Sequence, residues 1–153
     1  MFYILHHYPR KTDFSNARVT KMVYLCDWKC AIENGCQMTS IKWYFDNYGP
    51  FVWDVLDTAR EKSDVFFINK TQNDYGNAKA EIGLKSDDFA PNLSEEEKKV
   101  ADHVIEQTKN LSWRDFINLV YSTYPVVSTE KYEFLNLTEL AIEYKQSSLY
   151  KAK

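Results

Sequence analysis

Three cysteines, Cys26, Cys30 and Cys36, lie close together in this 153-residue chain, and their spacing raises the question of metal chemistry first. Cys26 and Cys30 stand four apart, so on a helix they share a face, an arrangement by which two thiolates can hold zinc. The spacing is not Cys-x2-Cys, however, and no histidine lies nearby in sequence. No metal is therefore expected, and the three are expected to be buried free thiols. An odd count without a signal peptide also argues against a disulfide framework. Cys30 or Cys36 with His103 would supply a thiol nucleophile and its base, but nothing local supports that pairing. His6 and His7 are adjacent, so on a helix they point about 100° apart and cannot chelate one ion together. Asp27 interrupts an apolar helix between Cys26 and Trp28. An acid there either faces solvent or meets a donor, and the expected partner is the Tyr48-Gly49 turn. A catalytic carboxylate needs a second titratable group with a separated pKa, and none can be named. Walker A, Gly-x-Gly-x-x-Gly, Gly-x-Ser-x-Gly and His-Glu-x-x-His motifs are all missing from the sequence. The expectation is no catalytic residue, no metal and no cofactor.

The elements that position these residues follow from hydrophobic spacing. Residues 2–8 make a short apolar helix stopped by Pro9. Val19, Met22, Val23, Cys26 and Cys30 recur at helical intervals, so residues 16–34 form the longest helix. Asp13 or Ser15 caps its start, and Gly35 follows its end. Ile41, Trp43 and Phe45 alternate with Lys42, Tyr44 and Asp46, the period of a half-buried strand over 41–46. Asn47-Tyr48-Gly49-Pro50 breaks that strand. Pro50 suits the first turn of a helix over 51–61. Val65–Ile68 and Lys79–Lys85 read as a hairpin around a tip rich in turn formers, residues 69–77, with strand 41–46 beside it as a third strand.

Ser94-Glu95-Glu96-Glu97 is a capping box for the next helix. Ser112 starts another, with an inward stripe of Trp113, Phe116, Ile117, Val120, Tyr121 and Tyr124, ended by Tyr124-Pro125. Asn136 caps the last, with Leu137, Leu140, Ala141 and Tyr144 facing inward. The expected fold is α+β: a helix-dominated single domain with a small antiparallel three-stranded sheet, over residues 1–147, followed by a polar tail at 148–153. A hydrophobic content of 44% is enough for a core. A net charge of −3 argues against nucleic-acid binding through phosphate neutralisation. No apolar run approaches the ~18 residues of a membrane span, and Met1–Leu5 lacks a basic n-region, so a cytoplasmic protein is expected.

The most aromatic window of the chain is Ile41–Trp53, one rigid corner between strand and helix. It also carries a resemblance. Val23-Tyr24-Leu25-Cys26-Asp27-Trp28, then Ile41-Lys42-Trp43-Tyr44, then Asn47-Tyr48-Gly49-Pro50-Phe51 resembles, in order and spacing, the Panacea domain of SocA-like antitoxins. The likeness covers roughly residues 1–145. Asp27, Trp28, Trp43, Gly49, Pro50 and Phe51 are its structural motif residues in this chain. The resemblance implies an antitoxin that neutralises a cognate protein toxin by direct complex formation. Its alternatives are an adaptor that delivers the toxin to a protease, or an enzyme that reverses the toxin's chemistry. Tyr44, Tyr48 and Trp53 are the expected partner-binding residues, because Tyr and Trp give large contact area with few rotors to freeze.

Overall fold

The computed structural model describes residues 1–10 and 14–151. In chain order the elements are α1 (Phe2–His7), α2 (Asn16–Asn34), β1 (Trp43–Asp46), β2 (Gly49–Pro50), α3 (Asp54–Glu61), β3 (Phe66–Gln72), β4 (Ala78–Leu84), α4 (Glu95–Thr108), α5 (Trp113–Tyr121), α6 (Tyr124–Ser128), β5 (Phe134–Leu135), α7 (Leu137–Gln146) and α8 (Ser148–Lys151). The fold is α+β, with one three-stranded sheet ordered β2-β1-β5 and one two-stranded sheet, β3-β4, all antiparallel. Among the described residues no helix is long and apolar enough to cross a membrane.

The chain divides into two compact units, and α2 contributes to both. The first comprises Met1–Val23 and Trp53–Lys109. Here Ser15 begins α2, its Oγ accepting the Arg18 N–H at 3.2 Å; Asp13, the other expected cap, lies outside the described residues. Tyr8 is fully buried, donates its hydroxyl proton to the Thr108 carbonyl at 3.0 Å and accepts from the Arg18 guanidinium at 3.1 Å. Lys21 is also buried, and desolvation lowers its pKa to about 8. The hairpin β3-β4 is longer than expected and its tip shorter. Asn73 Oδ1 accepts the N–H groups of Tyr75 and Asn77, and Gly76 takes a φ of +78°, so the reversal is complete within residues 73–77. The other edge of β4 meets Phe14 and Ser15, through the Ile82 N–H to Phe14 carbonyl bond and a bridge from Ser15 to Glu81. The α4 capping box forms as expected: Ser94 Oγ accepts the Glu97 N–H and the Glu97 carboxylate accepts the Ser94 N–H.

The second unit comprises Tyr24–Val52 and Asn110–Lys153. Its three-stranded sheet is not the one expected. β1 pairs with β2 and β5 rather than with the hairpin. The reason is local. After Asn47-Tyr48 the chain turns straight back, placing Pro50 opposite Phe45 and Gly49 opposite Asp46. The Phe51 N–H then continues this pairing by donating to the Tyr44 carbonyl at 3.0 Å. Pro50 therefore sits in a strand, not in a helical first turn, and α3 begins only at Asp54. Tyr124-Pro125 likewise does not end α5. That helix stops at Tyr121, and Pro125 occupies the first turn of α6, where its missing N–H costs nothing. Trp113, expected to face inward, is 48% exposed. Within this unit Tyr24 meets Trp43 edge-on at 5.4 Å and Trp28 tilts against Tyr144 at 5.6 Å. Asn136 caps α7 by accepting the Glu139 N–H. Residues 148–151, expected as part of a polar tail, form the single turn α8.

Candidate functional site

Trp43 and Tyr44 are consecutive on β1, so their side chains leave opposite faces of the sheet. The register sets Leu135 opposite Trp43 and Phe134 opposite Tyr44. Trp43 and Leu135 are buried. On the other face the rings of Tyr44 and Phe134 meet edge-on at 5.3 Å; Tyr44 is half-buried and Phe134 is 69% exposed. Immediately before β5, Phe45 faces two residues at once. It donates its N–H to the Glu133 carbonyl at 2.9 Å and accepts the Tyr132 N–H. This is a β-bulge whose first residue takes the left-handed conformation, a place suited to glycine. Tyr132 holds it, at a φ of +70°. A bulky side chain there stores about 1–3 kcal/mol of strain. The Tyr132 hydroxyl donates to Asn47 Oδ1, and the residue after Asn47, Tyr48, is 80% exposed in the β1–β2 turn. Exposed or half-exposed aromatics thus come from β1 (Tyr44), from the turn beside it (Tyr48) and from the segment entering β5 (Tyr132, Phe134).

Of the three partner-binding residues expected from sequence, Tyr44 and Tyr48 lie in this unit. Trp53 is the N-cap of α3 in the first unit, where it is 61% exposed. Tyr132 and Phe134 were missed by sequence reasoning. The only signal was the alternation of Tyr132, Phe134 with Lys131, Glu133 and Leu135 ahead of the Asn136 cap.

Asp27 holds the inner face in place. It is fully buried, but its partner is not the Tyr48-Gly49 turn. The carboxylate accepts the Thr39 N–H (3.0 Å), the Thr39 hydroxyl (2.5 Å), the Trp43 indole N–H (2.8 Å) and the Gln37 amide (3.3 Å). Burial raises its pKa above the ordinary value of 3.8, partly offset by the bonds from Thr39 and Trp43. These four bonds anchor residues 37–43 to α2.

Of the motif residues, Trp28, Gly49 and Pro50 are buried with Trp43, and Phe51 is half-buried. The cysteines divide: Cys26 and Cys30 are buried, but Cys36 is exposed, contrary to the expectation for all three. It escapes burial because α2 has ended two residues earlier. Among the described residues no group of three or more His, Cys, Asp or Glu is placed to hold a metal ion.

In comparisons with curated proteins and with solved structures, nothing matches this chain. The family model for the antitoxin SocA-like Panacea domain matches residues 19–125, which is more than half of the chain. That span contains the Asp27 anchor, strand β1 with Trp43 and Tyr44, and the Gly49-Pro50 return. The chain therefore belongs to the Panacea-domain family of SocA-like antitoxins.

Proposed function

We propose that this protein is the antitoxin of a toxin–antitoxin module and neutralises its cognate protein toxin by forming a direct complex with it. Family membership supports the class of function. The observation that carries the mode of action is the aromatic surface built on the β2-β1-β5 sheet, where Tyr48, Tyr132 and Phe134 stand in solvent beside a half-buried Tyr44. Large aromatics left exposed on a rigid sheet bury area on binding with little loss of rotor freedom. Tyr132 strengthens the reading, because a strained left-handed tyrosine is costly to keep for fold alone.

The test is co-purification with the toxin. Tyr44→Ala with Phe134→Ala should leave the helical circular dichroism and the melting temperature close to the parent, since neither ring is fully buried. Toxin binding should fall by roughly one to three orders of magnitude if each anchor is worth about 1–2 kcal/mol. Unchanged affinity in the folded double variant would remove this face from the interface. Trp53→Ala, made separately, reports whether the first unit also contributes.

A further inference from the structure

We propose that the outer edge of β3 pairs with the same edge of a second copy of this chain, joining two β3-β4 hairpins into one continuous antiparallel sheet. The hairpin has no part in the docking surface on the β2-β1-β5 sheet, and its two edges differ. The β4 edge is covered, since the Ile82 N–H donates to the Phe14 carbonyl and Ser15 bridges to Glu81. The β3 edge is open. Which groups face it follows from the register. The Lys85 N–H donates to the Val65 carbonyl and the Asn73 N–H to the Asn77 carbonyl. Odd-numbered residues of β3 therefore turn their backbone groups toward β4, and even-numbered residues turn theirs outward. Phe66 gives its N–H to the Lys62 carbonyl at 3.0 Å. The N–H and C=O of Ile68 and Lys70 and the N–H of Gln72 point away from β4, and among the described residues none of them is hydrogen-bonded. Lys70 and Gln72 are exposed and Ile68 is half-buried. An edge of this kind is a template for another strand, and proteins blunt it with proline, a bulge or charge. β3 has no proline, its register with β4 runs unbroken from Phe66 to Gln72, and its one charged residue is Lys70.

The strand's own residues select a second copy as the occupant. In an antiparallel pair of identical strands the two-fold axis can fall on Ile68, Asn69 or Lys70. An axis nearer either end of β3 leaves most of the outward groups unpaired. Centred on Lys70, the pair sets two lysines directly opposite each other, which is destabilising. Centred on Ile68, it sets Lys70 opposite the partner's Phe66, whose N–H is already taken. Centred on Asn69, it has neither fault. Ile68 then exchanges both of its bonds with the partner's Lys70, and Lys70 does the same with the partner's Ile68. The side chains agree with this register. On the outer face Phe67, which is 45% exposed, lies directly opposite the partner's Thr71, an aromatic beside a β-branched neighbour. On the other face the Lys70 stem covers the partner's half-buried Ile68 while its ammonium stays in water. On the axis Asn69 meets the partner's Asn69, and two side-chain amides can bond each other. Pairing along one short strand buries little area, so the dimer is a weak one that exchanges with the monomer.

Sedimentation velocity of the full-length protein over a dilution series tests this, and a monomer–dimer equilibrium is the expected result. Lys70→Pro removes an N–H that β4 does not use, so the hairpin keeps its ladder. The dissociation constant of the dimer should rise about tenfold or more, because cross-strand bonds are lost on both sides of the axis. Asn69→Lys is a second probe. Its ammonium faces Glu81 within its own hairpin but a like charge across the axis. It should favour the monomer with no fall in melting temperature. Asn69→Cys, made together with Cys36→Ser to remove the exposed thiol, should form an interchain disulfide in air. At such a non-hydrogen-bonded position the facing Cα atoms lie about 4.5 Å apart, which a disulfide can span. Cleavage after Lys62 and Lys70 releases the linked peptides for identification. Ile68→Cys and Lys70→Cys in the same background should cross-link far less. The proposal is overturned by a protein that stays monomeric at its highest soluble concentration, by a dimer that survives both Lys70→Pro and Asn69→Lys, or by a cross-link that favours position 68 or 70. Toxin binding that falls with Lys70→Pro in a monomeric parent would assign the edge to the toxin, and it would overturn the proposal as well.

Discussion

At the scale of single residues, two buried charges set opposite demands on pH. Asp27 has a raised pKa because burial outweighs its hydrogen bonds. The folded state therefore holds its proton to higher pH than the unfolded chain does. Its contribution to stability is largest below the ordinary value of 3.8 and declines as pH rises toward the folded pKa. Asp27→Asn should abolish that decline. It should also cost about 1–3 kcal/mol at neutral pH, because an amide nitrogen would face donors from Thr39, Trp43 or Gln37. Urea midpoints measured from mildly acidic to neutral pH test both parts. An Asn variant as stable as the parent would show that the carboxylate is not the anchor described. Lys21 behaves in the reverse sense. Its pKa falls from 10.5 to about 8 on folding, so between those values the unfolded chain binds more protons and stability rises with pH. Lys21→Met should raise the melting temperature at pH 7 and remove the rise above pH 8.

At the scale of elements, two glycines decide how strands meet their neighbours. Gly49 ends the β1–β2 turn at a φ of +89°, and a Cβ there would lie 3.2 Å from the Tyr121 ring. Gly49→Ala should cost about 1–3 kcal/mol in urea unfolding, from backbone strain and from displacing Tyr121. Gly83 lies opposite Phe67 across the hairpin, with the Phe67 ring over its Cα, so that a Cβ would come within 2.2 Å of Cζ. The aromatic covers a position that has no side chain of its own. Gly83→Ala should therefore destabilise the parent but be neutral or favourable when Phe67→Ala is also present. Equal effects in both backgrounds would mean that the ring does not pack over this glycine.

At the scale of the whole molecule, the proposed mode of action makes a stoichiometric demand. If the toxin is silenced by occupation, purified toxin titrated with this protein should lose activity in proportion, with a break near one equivalent and a complex that co-elutes. Full rescue at a small fraction of an equivalent would point instead to catalysis. The Tyr44→Ala, Phe134→Ala variant should displace the curve without changing the far-UV signal, which is dominated by the helices.

Helices α2, α4 and α7 were readable from the sequence because each carries its own signal: apolar spacing along α2 with Gly35 beyond it, the capping box of α4 and the Asn136 cap of α7. The inward and outward assignments of Trp43 and Tyr44 were readable for the same reason, since alternation is a local property. The β3-β4 hairpin was readable too, but the partners of β1 were not. Phe134 and Leu135 lie about ninety positions from β1, and a two-residue strand has too little pattern to announce its partner. Pro50 was misplaced because proline suits both a helical first turn and a strand on the edge of a sheet. Only the Phe51 to Tyr44 bond decides between them. The donors that surround Asp27, and the bulge that turns Tyr132 outward beside Phe134, arise from contacts between distant or irregular segments. Local spacing chose the longer helices and the two faces of β1. Tertiary pairing alone chose the sheet, and with it the aromatic surface.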